Sequence, residues 1–595
     1  MVLQVGDGGR RGLTRCLFFL GLVSAGFVLM FLDGLDGRFG RIDVDDALRR
    51  IEILQLLADA RWFDRNLDVI RMPEPYVSPW SRLIDLPYVL LTWVIEPFSG
   101  REVAAKYAFL VWPPVMFIGF SLLFTASLFR LLPGASDRVP FWQLVAMVMI
   151  GAPAVSEFVP GRIDHHNVQI LLLLVFVHGA LRADLAGGVL AGVAISVSPM
   201  IGLECLPLVA VGAAAVVLAW CIRGAEMRGF ALAFLLSCAL TTPLLGSLLV
   251  GTGGILSTQC DSFSAPFAFV LTVAPLGATV VVLLVPSKAG QGMRLLAMVG
   301  VGVTVAICAP VLFSQCLAGP YSIIDPVSQR YWFSTLAQEG GIGAILAAGH
   351  GVEVLRLALL ALVIMLAGLG FVLEGGAHLG RRAIAWGVAA SVLPLALAMF
   401  RYTPIATSLG PLFLPLAVRE TVRLWQETRA GRRVLGLAGA GLVGLAAIGA
   451  ANAMSSAATK LDIVAYMNAD SCEGEDLSDM ELLSKGRILA PPGVAMAIAS
   501  RMQPGISVAG IPFHRASPGL RRTYEALASK DTGVRREALA PFDYVAVCRR
   551  ALPAEGERAP LFRALAGGGG WPGMTVIGTG KSAFRLFRIE HDTLR

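Results

Sequence analysis

The sequence predicts an all-α polytopic membrane protein that ends in a small extracytoplasmic α/β domain. Its 595 residues are 56% hydrophobic and only 15% charged, whereas a soluble domain carries about 25% charged residues. The mean hydropathy of +0.70 is too high for one soluble core or for a disordered chain. Nine cysteines are too few for a disulfide-rich scaffold.

Long apolar runs predict the membrane helices, because a helix needs about 20 apolar residues to cross the hydrocarbon layer. We predict about 13 crossings. The runs lie at 13–32, 104–130, 140–158, 167–181, 184–202, 204–222, 229–250, 265–286, 294–315, 353–374, 383–400, 404–418 and 434–453.

Positive charge sets the predicted orientation. Arg10 and Arg11 precede the first run and Arg15 lies at its start, and alternation from there places the basic stretch 419–433 on the same side. Because short cytoplasmic loops are rich in Lys and Arg, we expect a multi-pass inner-membrane protein with a cytoplasmic N-terminus. A cleaved signal peptide is the alternative, but no clear small-residue cleavage site flanks the first run. The net charge of +7 fits these loops and predicts no nucleic-acid partner.

The predicted topology gives two domains. Residues 1–454 form the transmembrane domain, with a first periplasmic loop at 33–103 and a mobile periplasmic loop at 316–352. From 455 to 595 the apolar runs shorten and charge returns, which is typical of a soluble α/β domain. Its strand-like stretches are Arg487–Ala490, Ile506–Gly510, Tyr544–Cys548, Met574–Ile577 and Phe584–Ile589.

Four cysteines lie on the predicted periplasmic side: Cys260, Cys316, Cys472 and Cys548. Cys472 and Cys548 share the soluble domain and could pair in an oxidising compartment. Unpaired buried thiols are an equal alternative. No cysteine spacing resembles a zinc site.

A first acidic cluster follows the first run. Asp43, Asp45 and Asp46 fall within four residues. They can be tolerated as a solvated helix N-terminus, where acid suits the dipole. The alternative is a divalent-cation site or a catalytic base, because hard cations prefer clustered carboxylates. The same loop ends in a polar stretch that contains Trp80 and Arg82.

A second cluster occupies the short connection between two apolar runs. It contains Arg162, Asp164, His165, His166 and Asn167. An ordinary turn would use Gly, Pro, Asn or Ser, so these residue types at a membrane boundary indicate binding or catalysis. Carboxylate with imidazole suits a metal, a proton transfer or a phosphate-bearing ligand.

Further polar residues fall on the same predicted face: Glu204, Glu339 in the 316–352 loop, and Arg401. That loop can be a substrate-covering lid or an interfacial loop anchored by aromatics. Arg401 can snorkel to the interface or clamp a phosphate.

No phosphate-binding loop, dinucleotide fingerprint, nucleophile elbow or HExxH motif occurs in the sequence. Secondary transporters place ionisable groups near the bilayer midplane, whereas here they collect at one surface. The pattern favours chemistry at the interface on a lipid-borne substrate.

These residues resemble the GT-C class of integral-membrane glycosyltransferases, and most of all the catalytic subunit of oligosaccharyltransferase and its uncharacterised bacterial relatives. The likeness rests on the layout of the membrane part, on Asp45-Asp46-Ala in the first loop and on Gly161-Arg-Ile-Asp164-His165-His166 in the short turn. The soluble domain lacks the family's Trp-Trp-Asp acceptor motif, which weakens asparagine-linked protein glycosylation as the activity.

The resemblance implies a polyprenyl-phosphate or polyprenyl-diphosphate sugar as donor and a glycan, lipid or protein as acceptor. By the same resemblance, Asp45 or Asp46 matches the first-loop base or metal ligand, Asp164 and His166 match the second motif, Glu339 matches the mobile-loop acid and Arg401 contacts the carrier phosphate.

The complete prediction for the site has three parts. Asp45, Asp46, Asp164 and Glu339 are the candidate catalytic residues, and Asp45, Asp164 and His166 would hold Mg²⁺ or Mn²⁺ if a metal is used. The candidate substrate-binding residues are Arg162, His165, Asn167, Glu204, Arg401, Trp80 and Arg82.

A flippase or transporter of lipid-linked glycans and a polysaccharide ligase are the alternative functions. A flippase would carry polar groups in both bilayer halves, whereas the cytoplasmic half here is nearly free of acid.

Overall fold

A computed structural model describes most of the chain. The described residues are 7–35, 43–132, 139–286, 288–347, 349–374, 379–427, 429–455, 463–469, 471–552, 558–578 and 581–594. The helices are α1 (Asp7–Leu35), α2 (Val44–Asp59), α3 (Asp85–Ser99), α4 (Arg101–Leu131), α5 (Phe141–Ile150), α6 (Ala152–Ser156), α7 (His166–Arg182), α8 (Leu185–Ile201), α9 (Leu206–Arg223), α10 (Ala225–Leu256), α11 (Ala265–Leu284), α12 (Gln291–Leu312), α13 (Pro326–Tyr331), α14 (Ile342–Ala347), α15 (Gly351–Glu374), α16 (Leu379–Ala398), α17 (Thr403–Leu409), α18 (Leu414–Glu427), α19 (Arg429–Ser455), α20 (Ile463–Ala469), α21 (Pro492–Ala499), α22 (Ser517–Ala528), α23 (Thr532–Leu539) and α24 (Pro560–Ala566).

The predicted apolar runs are all helical over most of their length. Within the described ranges, eight helices are long and apolar enough to cross a membrane, namely α1, α4, α9, α10, α11, α12, α15 and α16. Three shorter apolar helices, α5, α7 and α8, accompany them. The chain is therefore a multi-pass membrane protein, as predicted.

The chain divides into two compact units. The first unit comprises the described parts of Met1–Arg41, Trp80–Leu317 and Ala337–Ser456, and contains all these apolar helices. The second comprises the described parts of Ile42–Pro79, Ala318–Leu336 and Ala457–Arg595.

Small residues bring α7, α8 and α10 together in the first unit. A Cβ at Gly179 would lie 2.4 Å from the carbonyl oxygen of Gly187, and one at Gly192 would lie 2.4 Å from that of Phe234. Only glycine allows backbones to approach so closely, as is common between membrane helices. Because α7 and α8 form a tight hairpin, the start of α7 and the end of α8 lie at the same end of the unit.

The second unit is built on a seven-stranded sheet. Its strands are β1 (Asn66–Arg71), β2 (Pro75–Val77), β3 (Gly486–Leu489), β4 (Ile506–Val508), β5 (Tyr544–Cys548), β6 (Met574–Ile577) and β7 (Phe584–Ile589). The order is β2-β1-β4-β3-β5-β7-β6. The four central strands β1, β4, β3 and β5 are parallel, and β2, β7 and β6 pair antiparallel. Helical crossovers make this possible, since α21 joins β3 to β4 and α22 with α23 joins β4 to β5.

The predicted bounds of β5, β6 and β7 are confirmed, and β3 and β4 differ from prediction by one or two residues at their ends. Strands β1 and β2, which come from the first loop, were not predicted from the sequence. Segment 318–336 also joins this unit, because Ile324 and Trp332 belong to the same buried cluster as Tyr524 and Phe587.

Candidate active site

The turn between α6 and α7 holds its polar side chains in fixed positions. Gly161 adopts a φ of +89°, which favours glycine, and turns the chain. The amide of Asn167 donates to the Arg162 carbonyl across 3.0 Å, and the Arg162 guanidinium pairs with Glu157 across 3.0 Å. Arg162 and Asn167, predicted to bind substrate, therefore also brace the turn around Asp164, whose side chain is fully buried.

His165 lies between two carboxylates. Its Nδ1 contacts Asp164 Oδ1, and its Nε2 lies 3.1 Å from Glu204 Oε2. Burial alone would lower the pKa of His165, but the charges of Asp164 and Glu204 outweigh it and raise the pKa to about 10. The same attraction overcomes desolvation and holds the pKa values of Asp164 and Glu204 below their usual range. At neutral pH the group is two carboxylates around one imidazolium.

Glu204, in the connection between α8 and α9, is fixed by several neighbours. Gln169 Nε2 donates to Glu204 Oε2 across 3.2 Å and to the Gly202 carbonyl across 3.0 Å. The Tyr402 hydroxyl donates to the Glu204 carbonyl across 2.9 Å. These contacts join α7, the end of α8 and the segment after α16.

Arg401 extends the network to a second acid. Its Nη2 lies 3.7 Å from Glu204 Oε1, and its Nη1 donates to Glu339 Oε1 across 2.6 Å. A backbone bond of 3.0 Å from Phe400 N to the Gly340 carbonyl ties the two segments together. One continuous chain of contacts therefore runs from Asp164 to Glu339.

Asp164, His165 and His166 form a group that could hold a metal ion. One ligand atom from each of Asp164, His165 and His166 lies within 4.8 Å of the others. His165 already contacts a carboxylate at each ring nitrogen, which leaves Asp164 and His166 as the better placed ligands. His166 Nε2 is buried and has no hydrogen-bond partner among the described residues, while its Nδ1 lies 3.5 Å from Asp164 Oδ2. An imidazole beside a carboxylate suits Mn²⁺ or Zn²⁺.

Trp80 and Arg82, also predicted to bind substrate, are not members of the contact chain from Asp164 to Glu339. The ring of Trp80 lies 5.3 Å from that of His165, centroid to centroid, and covers it. Arg82 is buried and donates to Asp85 across 3.1 Å. The Arg82 guanidinium thus takes part in a buried ion pair.

Asp45 and Asp46 lie in the first turn of α2, in the second unit. Asp43 caps this helix by accepting from the Val44 amide across 2.6 Å. Asp46 is buried and Asp45 half-buried. Carboxylates suit a helix N-terminus, and the catalytic role of this pair stays a prediction.

Three residues of the network were not predicted: Gln169, Gly202 and Tyr402. Gln169 lies one turn after His166 on the same helix face, which is the one signal the sequence offered. Gly202 and Tyr402 stand beside predicted residues but are ordinary residue types for a loop and a membrane interface.

Comparison with solved structures shows that the chain has the fold of the oligosaccharyltransferases. These are membrane glycosyltransferases of the GT-C class. One similar protein is the oligosaccharyltransferase AglB from Archaeoglobus fulgidus. Its complex with an inhibitory peptide and a dolichol-phosphate gives a TM-score of 0.59 at 12% identity, covering 90% of this chain and 69% of that chain. Its apo form gives 0.61 at 11% identity with the same coverage. Its complex with Zn and sulfate gives 0.54 at 12% identity, covering 89% and 68%.

No protein-family model matches the sequence, and no curated protein does. At 11–12% identity, the likeness to AglB establishes the fold. The predicted resemblance to the GT-C class is thereby confirmed at the level of architecture.

Proposed function

We propose that this protein is a GT-C glycosyltransferase that moves a glycan from a polyprenyl-phosphate or polyprenyl-diphosphate carrier to an acceptor at the extracytoplasmic membrane surface. The observation that carries the proposal is the continuous contact chain Asp164–His165–Glu204–Arg401–Glu339 within an oligosaccharyltransferase fold. This network gathers three carboxylates, one imidazole and one guanidinium, and such clusters of ionisable groups are typical of functional sites.

The chemistry fits these groups. In the transfer, the bond from the sugar's anomeric carbon to the carrier phosphate breaks, a bond to the acceptor heteroatom forms, and the acceptor proton passes to a carboxylate. Arg401 would bind the leaving phosphate, because guanidinium matches phosphate geometry. Asp164 would stabilise developing positive charge, and Asp45 would take the acceptor proton.

A divalent cation, Mg²⁺ or Mn²⁺, is part of the proposal. Asp164 and His166 would hold it, and the bound ion would supply positive charge for the leaving phosphate. The AglB structure with Zn and sulfate supports a metal in this fold.

We propose the donor and acceptor at the level of class. AglB has been solved with a dolichol-phosphate and, in another crystal, with a tethered acceptor peptide, which supports a lipid-linked donor. The acceptor would be a glycan, a lipid or a protein. We expect no nucleic-acid partner.

The proposed topology has about 13 crossings in the inner membrane, with a cytoplasmic N-terminus and a periplasmic C-terminal domain. The disulfides Cys260–Cys316 and Cys472–Cys548 support it, because all four cysteines fall in segments predicted to be periplasmic, and disulfides persist in that compartment.

The test is transfer of radiolabel from a panel of polyprenyl-phosphate and polyprenyl-diphosphate sugars by purified protein, with and without EDTA. Asp164→Asn and Asp45→Asn should slow transfer by about 10²- to 10³-fold. Asp68→Asn is the matched control, because Asp68 is an exposed acid of β1. No transfer from any donor, with both variants still complementing a gene deletion, would overturn the proposal and favour a flippase. Label delivered only to polysaccharide would indicate a ligase.

A further inference from the structure

His165 is the centre of the network, because both of its ring nitrogens face carboxylates on different connections. Asp164 comes from the α6–α7 turn and Glu204 from the α8–α9 connection. The ring is 1% exposed and lies against Trp80. A histidine bonded at both nitrogens has no atom left with which to bind substrate or metal.

We propose that His165 and Glu204 act as a positioning pair, in which Glu204 anchors His165 and His165 orients the Asp164 carboxylate for the transfer site. Neither residue contacts the substrate in this view. The inference rests on the proposed function and replaces the predicted substrate-binding role of both residues.

The two oxygens of Asp164 have different neighbours. Oδ1 contacts His165 Nδ1, whereas Oδ2 faces His166 Nδ1 at 3.5 Å. Because Oδ1 is held by His165, the carboxylate plane is fixed and Oδ2 is directed towards His166. Outer hydrogen bonds of this kind commonly set the orientation of ligating carboxylates and histidines.

Several hydrogen bonds hold Glu204, the anchor of the pair. Glu204 is held through its carboxylate by Gln169 and through its carbonyl by the Tyr402 hydroxyl. Gln169 also bonds the Gly202 carbonyl, so the connection cannot swing away from α7 while these bonds persist. His165 is thereby tied to a loop fixed at three points.

Gly202 provides a way to disturb this pair alone. A Cβ at position 202 would lie 2.4 Å from Glu204 Oε2 and 2.6 Å from His165 Nε2. One methyl group would therefore separate the two side chains without removing any charge. The backbone φ of Gly202 is extended, so alanine adds no backbone strain.

The experiment compares Gly202→Ala and Glu204→Gln with Gly119→Ala. Gly119 lies inside α4, where an added Cβ would meet nothing within 4 Å, so it is the matched control. We would measure Mn²⁺ affinity by calorimetry, kcat and KM for the lipid donor, and thermal unfolding in detergent. Both test variants should weaken Mn²⁺ binding and lower kcat by about 10- to 100-fold, with KM changed less than about threefold.

The outcomes separate the inference from the proposed function. If the wild-type protein transfers sugar, and Gly202→Ala has the same Mn²⁺ affinity and kcat as Gly119→Ala, the positioning pair is overturned. The proposed function then stands. A rise in KM with kcat retained would mean that Glu204 binds substrate, and loss of thermal stability alone would mean a structural role; either result overturns the positioning pair. Wild-type protein that binds Mn²⁺ without transferring any sugar overturns the proposed function, and the Mn²⁺ affinities then decide the inference. Wild-type protein with neither property overturns both.

Discussion

Arg401 Nη1 donates to Glu339 Oε1 across 2.6 Å, so the residue proposed to bind the carrier phosphate is held by the acid of the 316–352 loop. Both side chains are largely buried, at 15% and 12% exposed. A phosphate that binds Arg401 must therefore compete with Glu339 for the same guanidinium.

The first prediction concerns this competition. Glu339→Gln removes the competing charge, and we expect it to raise the affinity for polyprenyl phosphate about tenfold, equivalent to ~1.4 kcal/mol. The same variant should lower kcat, because Glu339 is also a candidate catalytic acid. Binding is measured by calorimetry in detergent.

The matched control is Glu353→Gln, which removes an acid paired with Arg356 in the same unit. This control should leave phosphate affinity unchanged. Equal affinity in Glu339→Gln and Glu353→Gln would show that Glu339 does not compete for Arg401.

The second prediction concerns the metal. EDTA should abolish transfer and Mn²⁺ should restore it, because Asp164 and His166 offer a carboxylate and an imidazole to a divalent ion. His166→Gln should need about 10- to 100-fold more Mn²⁺ for half-maximal restoration. His591→Gln, at an exposed histidine bonded to the Phe542 carbonyl, is the control. Full activity in EDTA would indicate a metal-free site.

The sequence predicted the membrane helices because their signal is local. A crossing helix satisfies its own backbone and faces lipid, so each apolar run is visible without knowing its neighbours. β1 was missed for the opposite reason: Ile70 pairs with Val508 near the other end of the chain. Nothing within Asn66–Arg71 signals that partner.

The candidate site was partly visible for the same reason. Asp164, His165 and His166 attracted attention because charged residues in a short membrane connection need an explanation. The role of Gly202 depends on the tight α7–α8 hairpin, which Gly179 and Gly187 create by close backbone approach. That relationship is three-dimensional, and no single stretch of sequence shows it.

The third prediction concerns segment 318–336 in the second unit. Asp325 Oδ1 caps α13 by accepting from the amides of Val327 and Ser328, and its Oδ2 accepts from the Ser517 hydroxyl at the start of α22. Asp325→Ala should cost about 1–2 kcal/mol of local stability. Hydrogen exchange of the α13 amides in the intact protein should accelerate accordingly. The control is Asp476→Ala, because the exposed Asp476 accepts from the Ser478 amide rather than from an amide of α13. This variant should leave hydrogen exchange of the α13 amides unchanged.

The same carboxylate sets a pH dependence. Burial raises the pKa of Asp325, but hydrogen bonds from Ser328 and Ser517 outweigh it and hold the pKa below its usual value. A depressed folded-state pKa means that the stabilisation is present above the ordinary aspartate pKa and is lost as pH falls through the lowered value. Protection of α13 should therefore fall progressively as the pH drops from the ordinary aspartate pKa to the lowered value, and this decline should be missing in Asp325→Ala. An equal response in both proteins would contradict the assignment.

The fourth prediction concerns the two disulfides. Cys472–Cys548 lies within the second unit and Cys260–Cys316 within the first. From the sequence, the pairing of Cys472 with Cys548 was left open, and the pairing of Cys260 with Cys316 was not predicted. Replacing Cys472 by Ser should cost about 2–4 kcal/mol, because the closed loop no longer restricts the unfolded chain. Thermal unfolding in detergent measures the loss, and Cys308→Ser, at a free cysteine, should leave the unfolding temperature unchanged.

Mass spectrometry of unreduced peptides checks the pairing directly. Alkylation of all nine cysteines without reductant would contradict both disulfides and the periplasmic placement that they support.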